Sequence, residues 1–458
     1  MIRYHARWVV PVIASPIRNG TVVTDGATIV YVGEPAGAPP GQDIELGDAI
    51  LCPGLVNAHC HLELTVMRGF LEGLEFRDWI VRLTTAKRVV LSRDDLMDSA
   101  RIGLVEGIRA GITTYADTSD SGVVFDAMLE LGVRGIMYQE VFGPDPAQCD
   151  ASMEELRRKV EALRPRATSL VRVGISPHAP YTVSDELFAA VAEYARTHDV
   201  PVAVHIAESA AESDLVERAA GIFADGLARR GFVLQRRGRS PIEMLERNGL
   251  LDVRPLLIHA IRADVRDVEL IAARDAAVAH CPVSNAKLGH GIAPLCAMLA
   301  AGVRVGLGSD SVASNDRMDI LGEAQAATLL QSVALQQPDA IEARRALELA
   351  TIGGARALGL DSRIGSLEPG KAADLAAFSL GGPGVPIQDP ETALVHVIRG
   401  GDATLAVVDG IPLMRDGRVA GAGAELRARV EAAAERLRAW SVTVDAGGGP
   451  VPPESPTR

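Results

Sequence analysis

Eight short apolar runs, set apart by Ala- and Leu-rich stretches of helical length such as DELFAAVAEYARTH, organise residues 54–365. They read GLVNAHCH, GITTYAD, VRGIMYQEVFG, VRVGISPHAP, PVAVHIAE, PLLIHAI, AAVAHCPVSN and VRVGLGSDS. Short apolar runs alternating with helices of ten or more residues are the mark of βα units around a parallel sheet. Eight of them predict an α/β fold, a closed (β/α)8 barrel of the TIM type.

The rhythm differs at both ends. Residues 1–53 carry β-branched runs broken by Gly, Asn and Asp-Gly (WVVPVIA, GTVV, ATIVYVG), a hairpin pattern that returns in 366–445 with TLAVVDGIPLMRDGRVA. Both ends are expected to build one small β-sandwich domain. The Gly/Pro/Ser-rich stretch 446–458 is expected to be a disordered tail. Residues 221–248 exceed an ordinary βα connection and read either as a lid over the barrel mouth or as an extra helix.

Composition narrows the function classes. A formal net charge of −13 lacks the basic footprint of nucleic-acid or anionic-membrane binding, so a small-molecule substrate is expected, with a homo-oligomer left open. The five cysteines are odd in number and without paired spacing, as reduced thiols would be, and the first twenty residues lack an uninterrupted apolar core of signal-peptide length. The expectation is a cytoplasmic enzyme.

Six of the ten histidines fall at or near the C-terminal ends of the proposed strands: His59, His61, His178, His205, His259 and His280. That rim is where side chains from different strands of such a barrel converge. His59 and His61, two apart on a strand, project to the same side. Three imidazoles and the carboxylate of Asp310 suit a divalent ion with one position left open. Glu208, three residues past His205, is placed to reach over a substrate and to move a proton. Asp310 reads alternatively as a turn cap, and Glu208 as a solvated surface acid.

On PGLVNAHCHLELTVMRG, SPHAPYTV, VHIAES, LIHAI, AHCPVSNAKLGHGIAP, VGLGSDSVASND and ATIGGARALGLDSRIGSLEPGKAADLAAF, the chain resembles the amidohydrolase superfamily over nearly its whole length. The branch is that of cytosine, guanine and adenosine-type deaminases and triazine chlorohydrolases. The resemblance implies one divalent ion, Zn2+ or else Fe2+, on His59, His61, His205 and Asp310. Glu208 is implied as proton shuttle, His259 as the group orienting the attacking water, and Asp310 as the acceptor of its proton. It further implies that His178 contacts substrate, and leaves His280 either lining the pocket or supporting a neighbouring strand. A single ion is expected because the fourth strand ends in SPHAP without the lysine of two-metal members; Lys159 and Lys287 lie elsewhere. The implied reaction is hydrolytic loss of ammonia from an aminated ring, with dechlorination or N-dealkylation of a triazine-like ring and a non-catalytic barrel as alternatives.

One stretch departs from the adenosine-type pattern. LEFRDWIVRLTTAKRVV is basic beyond Trp79, and Arg77, Arg82, Lys87 and Arg88 read either as a solvated helix face or as the grip for a carboxylate. The sharper expectation is a purine-like substrate bearing an acid, such as aminodeoxyfutalosine, with Trp79 stacked on its apolar part.

Overall fold

The structure is a computed structural model that describes residues 1–381, 386–419 and 422–446. The stretch read as a disordered tail lies outside these residues, apart from Ala446 at the end of the last helix.

All eight apolar runs form strands. They are β6 (Leu55–Cys60), β7 (Ile112–Ser119), β8 (Arg134–Val141), β9 (Val171–Pro177), β10 (Ala203–Ile206), β11 (Leu256–His259), β12 (Ala277–His280) and β13 (Arg304–Leu307). β6 to β9 pair in order as one parallel four-stranded sheet and β10 to β13 as another. Single parallel bridges span both seams, Ile175 with Val202 and Cys60 with Asp310. Every residue of β6, β7 and β8 is buried, as expected where helices cover the outside of a parallel sheet.

Helix α1 (Phe76–Val90) follows β6, and α2 (Arg93–Arg109) leads into β7. The start of α2 is fixed by a capping box, in which Ser92 Oγ accepts the Asp95 N–H at 3.2 Å and the Asp95 carboxylate accepts the Ser92 N–H at 2.8 Å.

The two chain ends do combine, but in one nine-stranded mixed sheet rather than in two sheets packed face to face. The N-terminal part supplies β1 (Ile2–Val9), β2 (Ile17–Asp25), β3 (Thr28–Gly33), β4 (Gln42–Glu45) and β5 (Ala49–Pro53). The C-terminal part supplies β14 (Leu375–Ser379), β15 (Ala403–Val408), β16 (Ile411–Arg415) and β17 (Arg418–Val419). The hydrogen-bonded order is β17-β16-β15-β14-β5-β1-β2-β3, with β4 beside β1. Tyr4, Val22, Ile29, Leu51, Leu375 and Val407 form one core of its own against this sheet, so a single curled sheet supplies the burial for which two faces were expected. Residues 424–445, grouped with this domain on sequence, belong to a helix packed on α2 instead, where Arg429 pairs with Asp98 at 2.6 Å.

A buried ion cluster ties sheet to strands. The Arg134 guanidinium at the start of β8 donates to both Asp374 oxygens at 2.7 and 3.0 Å and to Asp409 at 3.1 Å.

Candidate active site

The strand ends deliver the predicted residues to one place. Donor atoms of His59, His61 and His205 lie within 4.8 Å of one another, as do those of His59, His259 and Asp310. The two groups share His59, whose Nε2 stands 3.2 Å from Asp310 Oδ1, and His61 Nε2 is 3.5 Å from the same oxygen. The first and last parallel strands meet here, since the Asp310 N–H donates to the His59 carbonyl at 3.0 Å.

The hydrogen bonds around the imidazoles set which nitrogens face inward. His61 Nδ1 donates to the Thr118 carbonyl at 2.8 Å, and His205 Nδ1 to the His178 carbonyl at 3.2 Å. Their Nε2 atoms then face each other at 3.2 Å with lone pairs only. Burial, with the neighbouring histidines, holds His61 down to about 3 and His205 well below its ordinary value, so neither ring supplies a proton to relieve the contact. A cation between them does. The Asp310 carboxylate is oriented from behind, Oδ2 accepting from Ser284 Oγ at 2.5 Å and Ser314 Oγ at 3.0 Å, which leaves Oδ1 to the histidines. Three imidazoles and one fixed carboxylate fit a divalent metal ion.

Glu208 is 5% exposed and its Oε1 lies 3.6 Å from His259 Nε2 and 3.7 Å from His290 Nε2. Burial first, then the charges of Asp310 and Glu212, push its pKa well above the ordinary carboxyl range. His259 Nδ1 donates to Asn285 Oδ1 at 3.0 Å, which turns its Nε2 lone pair toward this space.

Backbone strain marks the same rim. Ala207, His259, Ala260 and Asp310 adopt φ of 52°, 74°, 48° and 56°, a region that costs non-glycine residues about 1–3 kcal/mol each and gathers at functional sites. Glu212 clamps one of these turns by accepting the N–H groups of Ala207 at 2.7 Å and Glu208 at 3.0 Å.

A cavity of about 610 Å³ opens over these groups. His178 lines it with Nδ1 bonded to Thr182 Oγ1 at 2.8 Å, and Trp79 lines it from α1. The helix Gly221–Arg229, inside the segment read as lid or extra helix, stacks Phe223 on Tyr181 beside the cavity at 4.3 Å between ring centres.

The basic segment divides by helical phase. Phe76, Ile80, Leu83, Lys87 and Arg88 are on the face of α1 that lines the cavity, whereas Arg77 and Arg82 are not among its lining residues. Arg77 pairs with its neighbour Asp78 at 3.3 Å and Arg82 lies over the Phe70 ring. His280 is buried outside the lining with Nδ1 unpartnered, and burial takes it down to about 3. Glu63, Asp120, Glu140 and Tyr181 line the cavity although the sequence reading did not single them out, and His290 reaches Glu208 beside it. Glu63 and His290 stood inside quoted motifs, HLEL and LGHG, so spacing from the metal motif was the available signal.

The amidohydrolase family profile matches residues 50–413. A 5-methylthioadenosine/S-adenosylhomocysteine deaminase of Moorella thermoacetica is 33% identical, over 90% of this chain and 93% of its own. The crystal structure of an adenosine deaminase from Xanthomonas campestris with bound zinc has a TM-score of 0.86 at 29% identity, covering 96% of this chain and 98% of that one. An atrazine chlorohydrolase from Arthrobacter aurescens, complexed with zinc, has a TM-score of 0.83 at 26% identity, over 95% of this chain and 100% of that one. With the family profile spanning most of its length, the chain belongs to the amidohydrolase family.

Proposed function

We propose that the chain is a metal-dependent hydrolytic deaminase that removes the exocyclic amine of an adenine-type nucleoside and releases ammonia. The observation that carries this reading is the placement of Glu208, a buried carboxyl 3.6 Å from His259 beside a three-histidine, one-aspartate donor set. The names of the relatives, 5-methylthioadenosine/S-adenosylhomocysteine deaminase and adenosine deaminase, support it. On the same reading the eight parallel strands, bridged at both seams, form one (β/α)8 barrel with the mixed sheet as its second domain.

His59, His61, His205 and Asp310 would hold one divalent ion, Zn2+ by the softness of the set. When bound, that ion supplies Lewis acidity that makes a water nucleophilic near neutral pH. His259 presents the Nε2 lone pair that orients this water, and Asp310 is placed to take up its proton. Glu208 delivers its proton to the ring nitrogen as the water oxygen bonds to the adjacent amine-bearing carbon. The proton taken up by Asp310 then passes to the amine, the carbon–nitrogen bond breaks to release ammonia, and the remaining hydroxyl proton returns to Glu208 as the ring carbonyl forms. His178 and Trp79 border the space for the rest of the substrate.

Among the described residues Lys87 is paired with both Glu63 and Asp120, which leaves Arg88 as the lining cation for a carboxylate arm. The names of the relatives favour an adenosine-type substrate.

The test is ammonia release from adenosine, 5'-deoxyadenosine, 5'-methylthioadenosine, adenine and a carboxylated adenine nucleoside, with chloride release from atrazine followed alongside. Deamination of the neutral nucleosides is expected. Chloride release without ammonia overturns the reading, and the carboxylated nucleoside outrunning every neutral one assigns Arg88 to an acid arm within it. Among the described residues no helix is long and apolar enough to cross a membrane.

A further inference from the structure

A second set of ionisable groups stands on the cavity wall beside the metal donors. Glu63 follows β6, Lys87 ends α1, Asp120 follows β7 and Glu140 is in β8. The Lys87 ammonium is held by Glu63 and Asp120 together, and the Ser121 hydroxyl donates to Glu63. These three charged groups satisfy one another.

Glu140 does not share in this. It is 7% exposed, lines the cavity, and has Oε1 shielded from solvent with no hydrogen-bond partner among the described residues. A buried acceptor left without a donor is costly, and a ligand that brings one relieves the cost. Its carboxyl oxygen and ring nitrogens of His178 and His205 lie within 4.8 Å of one another.

His178 presents a second acceptor at the same place. Thr182 Oγ1 gives its hydrogen to the Ala179 carbonyl at 3.1 Å and so accepts from His178 Nδ1, which leaves His178 Nε2 as a lone pair. Two adjacent acceptors call for two adjacent donors. An anion is disfavoured by Asp120, Glu63 and Glu140 around a lysine already paired. A second metal ion would need the ring nitrogen of His205, whose Nε2 already faces His61 and whose Nδ1 is bonded to the His178 carbonyl. Vicinal hydroxyls supply two donors without charge.

We propose that Glu140, with His178, forms a subsite for a vicinal diol and thereby selects substrates that carry an intact sugar. The proposal deepens the deaminase reading and rests on it. Glu140 acts as a specificity-determining residue, holding the saturated part of the substrate while Glu208 addresses the ring.

The experiment compares wild type, Glu140→Gln and Glu140→Leu in the metal-loaded protein. It measures kcat and KM on adenosine, 2'-deoxyadenosine, 3'-deoxyadenosine and adenine, calorimetric binding of inosine and 2'-deoxyinosine, and metal content. Loss of one buried hydrogen bond predicts that Glu140→Leu narrows the preference of adenosine over its deoxy forms by about tenfold, mostly through KM. The inosine to deoxyinosine binding ratio is expected to fall in parallel, with Glu140→Gln intermediate because its amide oxygen still accepts. An unchanged ratio in Glu140→Leu overturns the subsite. So does a metal content that drops from two ions to one, which assigns Glu140 to a second ion. Failure of every adenine compound to release ammonia overturns the deaminase reading instead, and the inosine ratios then decide the subsite alone.

Discussion

His61 and His205 approach through Nε2 to 3.2 Å, and each has already spent its one N–H on a backbone carbonyl. Two lone pairs held together in a buried site are repulsive until a cation lies between them.

The metal prediction follows from that contact. His59→Ala and His205→Ala are each expected to lose bound ion and turnover together, because each removes one of four protein donors. Elemental analysis beside activity checks it, and full metal retention in both variants rules out the donor set.

Glu208→Gln separates binding from proton delivery. The variant is expected to retain its ion and to lose turnover on the order of 10²–10⁴-fold, the usual worth of a positioned acid–base group. Near-normal turnover at unchanged metal content removes Glu208 from the mechanism.

Gly308 is a neighbour that the metal donors need to be small. A Cβ there would stand 2.9 Å from the His59 backbone nitrogen and oxygen. Gly308→Ala must therefore push β6 and β13 apart, at about 1–3 kcal/mol of overpacking. The expected outcome is a lower Tm together with weaker metal retention in a chelator competition. Unchanged retention would show that His59 yields without moving its ring.

His280 gives the acid side of stability a handle outside the donor set. Burial depresses it from 6.5 to about 3, so the folded protein keeps it neutral where the unfolded chain protonates it. Its contribution is complete above pH 6.5 and is lost as pH falls from there toward about 3. The loss is at most about 1.4 kcal/mol per pH unit. His280→Asn is expected to show a shallower fall of stability between pH 6 and 4 in denaturant titrations, and an identical slope would contradict this.

The strand-end histidines were legible because a strand fixes where its last residues point, so the eight apolar runs placed six histidines and Asp310 at one rim, and the family resemblance then selected His59, His61, His205 and Asp310 among them. The α1 arginines were not, since charge type says nothing of helical phase. Positions 76, 80, 83 and 87 share the cavity face, and Arg77 and Arg82 fall off it. Glu63 and Glu140 escaped notice for another reason. Glu63 meets Lys87 across the length of α1 and Asp120 from the next βα unit, and Glu140 lies near His178 from another strand, meetings that depend on three-dimensional packing. The mixed sheet was half legible, because hairpin patterns reveal strands and turns but not whether they share one hydrogen-bonded path.

The bond from the Asp310 N–H to the His59 carbonyl joins positions 251 residues apart along the chain. During synthesis His59 and His61 leave the ribosome long before Asp310 exists, and until then the pair has an incomplete set of donors. On the proposed donor set, the full complement for the ion closes only once the last parallel strand has been made and seated against the first. The ion then acts as a clasp whose affinity is drawn partly from closing the chain on itself, so metal starvation should trap molecules with the two seam strands unlatched while the intervening units are already folded.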